Sequence, residues 1–184
     1  MELINKNPKI IILSGKARVG KDTTATYIKN YAETKGLKIV NLQFSYYIKM
    51  YAKFISDWDG SEETKPRTLL QQLGTDIIRN NIDNYFFIKR IIQDIKVLSY
   101  FVDIITISDA RLPEELDSIF DAYENVTKIN ITRPNFNNSL NQSESAHLTE
   151  TKLNSYNNYD YIINNDGTLE DLENKTINIL KNII

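Results

Sequence analysis

The sequence predicts an α/β fold, a central parallel sheet of five strands flanked by helices to give three layers. Three observations predict it. Apolar segments of strand length alternate along the chain with stretches of helical period. The first of them, Ile10-Ile11-Ile12-Leu13, is continuously apolar, as a strand buried on both faces is. That strand runs into Ser14-Gly15, and a glycine-bounded loop then opens a helix.

Residues 9–13 read as the first strand. Residues 21–34 follow as a helix with Ile28, Tyr31 and Ala32 on one face, and Gly36 ends it. Residues 37–42 make the second strand. Ser45 then caps a helix that carries Ile48, Tyr51, Ala52 and Ile55. Asp57-Trp58-Asp59-Gly60-Ser61 is a turn. Residues 67–80 are helical with Leu69, Leu70, Leu73 and Ile77 inward. Gly74 sits inside that helix at a cost of about 1 kcal/mol relative to Ala, which points to packing or to the approach of a ligand. Residues 85–98 form another amphipathic helix. Residues 101–107 are the third strand, with Ser108-Asp109-Ala110-Arg111 at its C-terminal end. Residues 112–123 read as a helix with Pro113 in the first turn, and residues 126–131 as the fourth strand. The polar, weakly periodic residues 133–150 read as a loop or a mobile lid. A short fifth strand spans 159–163. A helix over 168–183 closes the chain, opened by Thr168 and Asp171 in a capping box. There is no internal repeat or linker, so one domain over 1–184 is expected.

The chain has 184 residues, 41% of them hydrophobic and 25% charged, enough for one domain with a sizeable core. A net charge of −2 gives no strong field towards nucleic acid or anionic membrane. The absence of cysteine excludes disulfides and thiol catalysis and fits a cytoplasmic protein. Met1 to Pro8 lacks the apolar core of a signal peptide, and no apolar run approaches the ~20 residues of a membrane span.

The glycine loop carries the clearest chemistry. Gly15 and Gly20 let the backbone turn its N–H groups inward, and the helix start beyond Gly20 adds a positive dipole end. Lys21 adds a compact charge for outer phosphates and should face ligand rather than core. Together these predict a nucleoside triphosphate site. Asp22 stands where Ser or Thr usually follows the Lys, with Thr23 and Thr24 next. Its carboxylate suits Mg²⁺, directly or through water, and would repel phosphate without the metal. The plain alternative is a glycine-containing turn that binds nothing.

Asp109 and Arg111 follow the third strand, and Arg133 follows the fourth. Ligands in parallel sheets sit beyond the carboxyl ends of strands, so these residues should meet the loop on one rim. Asp109 suits a Mg²⁺ hydration shell or a substrate hydrogen bond, and Arg111 suits a phosphate. A surface ion pair is the alternative. Arg67, after Lys65-Pro66, is placed near a helix start for an acceptor phosphate, or is a solvated charge. Arg133, entering the lid-like segment, suits a transferring phosphoryl group. The sole histidine, His147, lies in that segment and reads as orienting or lid-anchoring.

Several stretches taken together resemble the deoxynucleoside monophosphate kinases of tailed bacteriophages and some bacteria. They are Leu13-Ser14-Gly15 with Gly20-Lys21-Asp22-Thr23-Thr24, then Leu69-Leu70-Gln71-Gln72-Leu73-Gly74-Thr75-Asp76 with Asn80, Asn81 and Asp83. Asp109-x-Arg111 with Glu115 and Asp117 follows, then Arg133-Pro134, His147-x-Thr149-Glu150 and Asn165-Asp166-Gly167-Thr168-Leu169-Glu170. The resemblance implies a P-loop NTPase fold, nucleoside-monophosphate-kinase-like, with acceptor-binding helices at about 45–98 and a short lid at about 133–150. It implies transfer of the γ-phosphoryl of ATP to a dNMP, with Mg²⁺. Gly15, Arg18, Gly20, Lys21, Asp22, Thr23 and Thr24 would hold ATP, with Asn165, Asp166 and Gly167 against the adenine. Lys49, Arg67, Gly74, Thr75, Phe87, Asp109, Arg111 and Glu115 would line the acceptor site. Lys21, Arg111, Asp109 and Arg133 would act in transfer, and Asp22, Thr23 and Asp109 near the metal. Partners would be small nucleotides, neither nucleic acid nor membrane, and a homodimer is compatible. Some family members carry a long insertion where this chain has only the turn at residues 58–65.

Two other readings fit parts of this pattern. Phosphomevalonate kinase shares a Gly-Lys-Asp loop and an Asp-x-Arg segment. A nucleotide-dependent switch shares the loop, although no Asn-Lys-x-Asp guanine motif is present. Tyr85, Phe86 and Phe87 are candidates for a flat wall against a base, with core filling as the alternative. Glu115 is placed to accept from a sugar 3′-hydroxyl.

Overall fold

In the computed structural model, residues 3–134 and 152–184 are described. The expected lid, with His147, falls almost wholly outside them.

Five parallel strands form one sheet: β1 (Lys9–Ser14), β2 (Ile39–Leu42), β3 (Ile104–Ala110), β4 (Val126–Thr132) and β5 (Tyr161–Asn164), in the order β2-β3-β1-β4-β5. β1 is central because its side chains are apolar on both faces. Ile10 and Ile12 enter one core and Ile11 and Leu13 the other. Helices α1 (Lys21–Thr34) and α6 (Leu169–Ile183) close the second core through Ile28, Ala32, Leu172 and Leu180. The first core lies under α2 (Ser45–Ser56), α4 (Phe86–Leu98) and α5 (Pro113–Ala122). This is the three-layer architecture the alternating pattern predicts.

The helix expected over 67–80 departs from its reading. It starts as α3 (Arg67–Gln71) and widens into a π-helix, Gln72–Ile82. Residues five apart then share a face, where an α-helix would align residues four apart. Leu73 is buried, and Ile78 follows it inward at 5% exposure, while Ile77 is turned out at 46%. The expected inward Ile77 is thus corrected by one residue. Trp58, in the turn expected there, also packs with Ala52 and Leu73 and donates its indole N–H to the Ser61 carbonyl.

The start of α2 differs too. Ser45 is its first residue, and no side chain of its own segment caps it. Asp109, arriving on β3, takes that role by accepting from the N–H groups of Phe44 (2.8 Å) and Ser45 (3.0 Å). The orphan donors of a helix start need an acceptor, and a charged one from the neighbouring strand suits them better than a local hydroxyl. The capping box of α6 forms as expected, with Thr168 and Asp171 reciprocally bonded.

The π register is testable by paired substitutions. Ile78→Ala should cost about 2–4 kcal/mol in urea denaturation and Ile77→Ala less than about 1. The reverse order would restore the α-helical register.

Candidate active site

The C-terminal ends of β1, β3 and β4 converge on one open cleft of about 620 Å³. Its first wall is the loop after β1. Gly15 has φ +139° and lies against β4, so a β-carbon there would collide with the Ile131 carbonyl oxygen. Gly20, at φ +107°, starts α1; a β-carbon on it would stand 2.8 Å from the Asn165 amide nitrogen. That amide donates to the Val19 carbonyl (2.9 Å), so the turn after β5 clamps the loop from behind. Arg18, Gly20, Lys21, Asp22 and Thr23 face the cleft, with Asn165, Gly167, Thr168, Leu169 and Leu172 beside them.

Lys21 corrects one expectation. It does not stand free towards ligand. Only 6% of it is exposed, and its ammonium donates to the carbonyls of Gly15 (2.8 Å) and Lys16 (2.7 Å). The lysine therefore holds the loop's shape as well as placing charge at its mouth. Thr24 is fully buried, its hydroxyl bonded to the Gly20 carbonyl, and is not on the cleft wall. Asp166 is also off the wall; Lys175 hydrogen-bonds it and holds its carboxyl below the usual range.

The opposite wall comes from α2, α3, the π-helix and the β3–α5 turn. Lys49, Lys65, Arg67, Gly74, Thr75, Arg111 and Glu115 all line it, and Arg133 lines the cleft from the end of β4. The exposed Glu62 accepts from both Lys65 and Arg67, which gathers the two cations at one edge. Phe87 is not a wall for a base. It is 1% exposed in the core, and the Arg79 guanidinium lies over its ring at 5.0 Å. Arg79, Gln43, Ile48, Leu70, Gln71 and Ser108 are cleft residues that sequence reasoning missed. For Arg79 the sequence carried no local signal, since Thr75, Asp76, Ile82 and Asp83 make a mixed face around it and its alignment with Gly74 follows from the π register.

Two carboxylates expected to meet substrate or metal are engaged inside the protein. Both oxygens of Asp109 accept from the start of α2, while the residue stays on the cleft lining. Glu115 is 3% exposed. One of its oxygens accepts from Arg79 (2.8 Å), the other from the N–H groups of Arg111 (2.8 Å) and Leu112 (3.2 Å). The expected bond to a sugar hydroxyl is thus replaced by internal partners. Asp22 is an exposed carboxylate of the cleft; among the described residues its side chain is touched at 3.4 Å by the Gln43 amide and at 3.5 Å by the Ser108 hydroxyl. Such loosely held oxygens, with Thr23 beside them, fit a Mg²⁺ that keeps several waters.

A glycine loop ending a central parallel strand, a lysine at its mouth and a two-walled cationic cleft define a P-loop kinase fold. Solved structures agree at the level of the fold. The Mycobacterium tuberculosis APS kinase CysC in complex with AMPPNP and APS superposes with a TM-score of 0.58 at 12% identity, covering 95% of this chain and 98% of that chain. A sugar kinase from Janibacter gives 0.57 at 15% identity, covering 95% of each. The family is more specific: the model of deoxynucleotide monophosphate kinase matches residues 43–176, and the chain belongs to that family. The deoxynucleotide monophosphate kinase of Enterobacteria phage T4 is 34% identical over 116 residues, which span 62% of this chain and 45% of that relative. The region matched by the family model begins after the glycine loop, so the loop stands on its own geometry.

Burial pushes Glu115 up to about 7, against the lowering pull of Arg79 and with a smaller upward push from Asp109. The folded protein then keeps a proton that the unfolded chain has released above about 4.5, so this group's contribution to stability falls as pH rises from about 5 through 7. Urea denaturation of wild type against Glu115→Gln should show the wild-type advantage shrinking by on the order of 1–3 kcal/mol between about pH 5 and pH 8. A pH-independent difference would refute the buried-charge account.

Lys21→Met keeps the stem and removes the charge. It should lower kcat/KM at least ~100-fold, and cost about 1–2 kcal/mol of stability because two loop carbonyls lose their donor. Near-normal turnover would reject the phosphate role of the loop.

Proposed function

We propose that the protein transfers the γ-phosphoryl group of ATP to a deoxynucleoside monophosphate, giving ADP and the diphosphate. One observation carries the reading. Among the described residues the cleft lining gathers eight cationic side chains, Arg18, Lys21, Lys49, Lys65, Arg67, Arg79, Arg111 and Arg133, against three carboxylates, Asp22, Asp109 and Glu115. The protein as a whole is net −2. So strong a local excess of positive charge suits two phosphate-bearing substrates facing each other, and is more than a single nucleotide requires.

The glycine loop is the donor end. Its backbone N–H groups and the start of α1 favour the triphosphate. Leu169, with 68% of its surface exposed, and Leu172 offer apolar surface for the adenine beside residues 165–167. Asp22 and Thr23 would hold Mg²⁺, which supplies neutralisation of phosphate oxygens. Arg67 and Arg111 sit across the cleft for the acceptor phosphate, and Ile48, Leu70, Gly74 and Thr75 flank space for its nucleoside. Phosphoryl transfer of this kind needs positioning and charge rather than a strong base, which suits a site where Asp109 and the buried Glu115 hold backbone N–H groups. Arg133 adds positive charge where the transferring group would pass.

The test is a coupled-enzyme assay of ATP consumption with every NMP and dNMP and with phosphomevalonate. Activity that requires a dNMP is expected. Phosphomevalonate turnover without dNMP turnover would leave the fold standing and overturn the assignment. Acceptor-independent hydrolysis would favour a switch. In the same assay Arg67→Ala and Arg111→Ala should each lose ~2–4 kcal/mol in kcat/KM for the acceptor, with ATP affinity held. Loss of ATP affinity with an unchanged acceptor KM would reverse the two ends.

A further inference from the structure

Arg79 is the cleft cation whose place in the reaction is not explained by a phosphate. It sits one π turn after Gly74, only 11% of its side chain is exposed, and its flat face covers Phe87. Its two Nη atoms reach in different directions. One donates to the Gly74 carbonyl at 3.0 Å, the other to Glu115 at 2.8 Å. The second Glu115 oxygen accepts the Arg111 N–H at 2.8 Å. Two side chains thus tie the backbone of the π-helix at Gly74 to the backbone of the β3–α5 turn at Arg111. Both ends of this tie lie on the wall assigned to the acceptor. An exposed ion pair contributes little, but one desolvated to this degree, with both carboxylate oxygens directed, has one good geometry and a large cost for leaving it.

We propose that Arg79 is a positioning residue for the acceptor: clasped to Glu115, it sets the span between Gly74–Thr75 and Arg111 across which a nucleoside monophosphate must fit. The inference rests on the kinase reading above. A guanidinium suits this place because its planar fork holds two separate Nη donors in fixed, divergent directions, one to a carbonyl and one to a carboxylate, whereas the donors of an ammonium all radiate from a single nitrogen on a flexible stem. The span decides whether the phosphate reaches Arg111 while the nucleoside rests on the π-helix, so its loss should weaken the acceptor and leave the donor end, built on β1 and α1, as it was.

The test uses the full chain, the best dNMP from the screen, and a fluorescent ATP analogue titrated without acceptor. Arg79→Lys, Arg79→Ala, Glu115→Ala and the double alanine variant are compared, each with a thermal melt. Arg79→Lys, which keeps the charge, should raise acceptor KM at least about tenfold, with kcat reduced less and analogue affinity within about twofold. The double variant should be about as impaired in acceptor KM as the worse single one, because the pair acts as a unit. An unchanged acceptor KM in Arg79→Lys overturns the proposal. So does a multiplicative double variant, and so does analogue affinity falling in step with acceptor KM and melting temperature, which would mark a merely structural pair. A wild type inactive on every monophosphate would overturn the kinase reading and this proposal with it, whereas an active wild type with unmoved variants overturns this proposal alone.

Discussion

The cleft depends on one close approach, that of Gly15 to the carbonyl oxygen of Ile131. Nothing with a side chain fits between the end of β1 and the neighbouring β4. Because β1 is central, the loop that follows it emerges between the ends of β3 and β4. The same turn puts Lys21 close enough to bind the Gly15 and Lys16 carbonyls from the start of α1. Move the strand to an edge, or add a methyl group at residue 15, and the loop loses both the room and the company that make it a binding site. The Asn165 amide on Val19 shows how far this dependence reaches, since the turn after the last strand braces the turn after the first.

Carboxylates and cations divide the labour in this site. Asp109 and Glu115 point inwards and hold backbone N–H groups, one at the start of α2 and one at the start of α5. Each fastens a helix start to the end of β3 or its turn. A buried carboxylate is costly unless its oxygens are directed, and here helix-start donors and Arg79 direct them. Arginines and lysines line the same cleft, Arg79 clasped to Glu115 and Lys65 and Arg67 gathered by Glu62. On the proposed reading such a wall stabilises charge spread over phosphate oxygens, with Asp22 at the place suited to a metal.

The far side of α5 carries a second anchorage. Lys128 on β4 is fully buried, within 3.0 Å of the Tyr156 hydroxyl and 3.7 Å of Asp117, and Tyr156 itself bonds Asp117. Lys152 meets Glu114 at 2.8 Å one turn away. The stretch after residue 151 is therefore fixed to the same helix whose first turn holds Arg111 in place through Glu115. α5 serves as a beam between the cleft wall opposite the glycine loop and the return path of the chain.

From its sequence alone the protein determined the order of strands and helices, the parallel sheet, the glycine loop and the rim on which Asp109, Arg111 and Arg133 meet it. Those follow from local period, continuous apolar runs and the steric freedom of glycine, all of which neighbours in sequence express. Tertiary structure alone decided the rest. The π widening that turns Ile78 inward and Ile77 outward depends on what the helix packs against. Asp109 caps α2 instead of Ser45 because β3 delivers a charge to that helix start from 64 residues away. Phe87 entered the core and Arg79 came to the cleft wall because a helix face is assigned by its contacts. Glu115 turned to Arg79 because a carboxylate buried that deeply must find a cation and N–H donors inside the fold, and their position is set only once the π-helix and the β3–α5 turn have met.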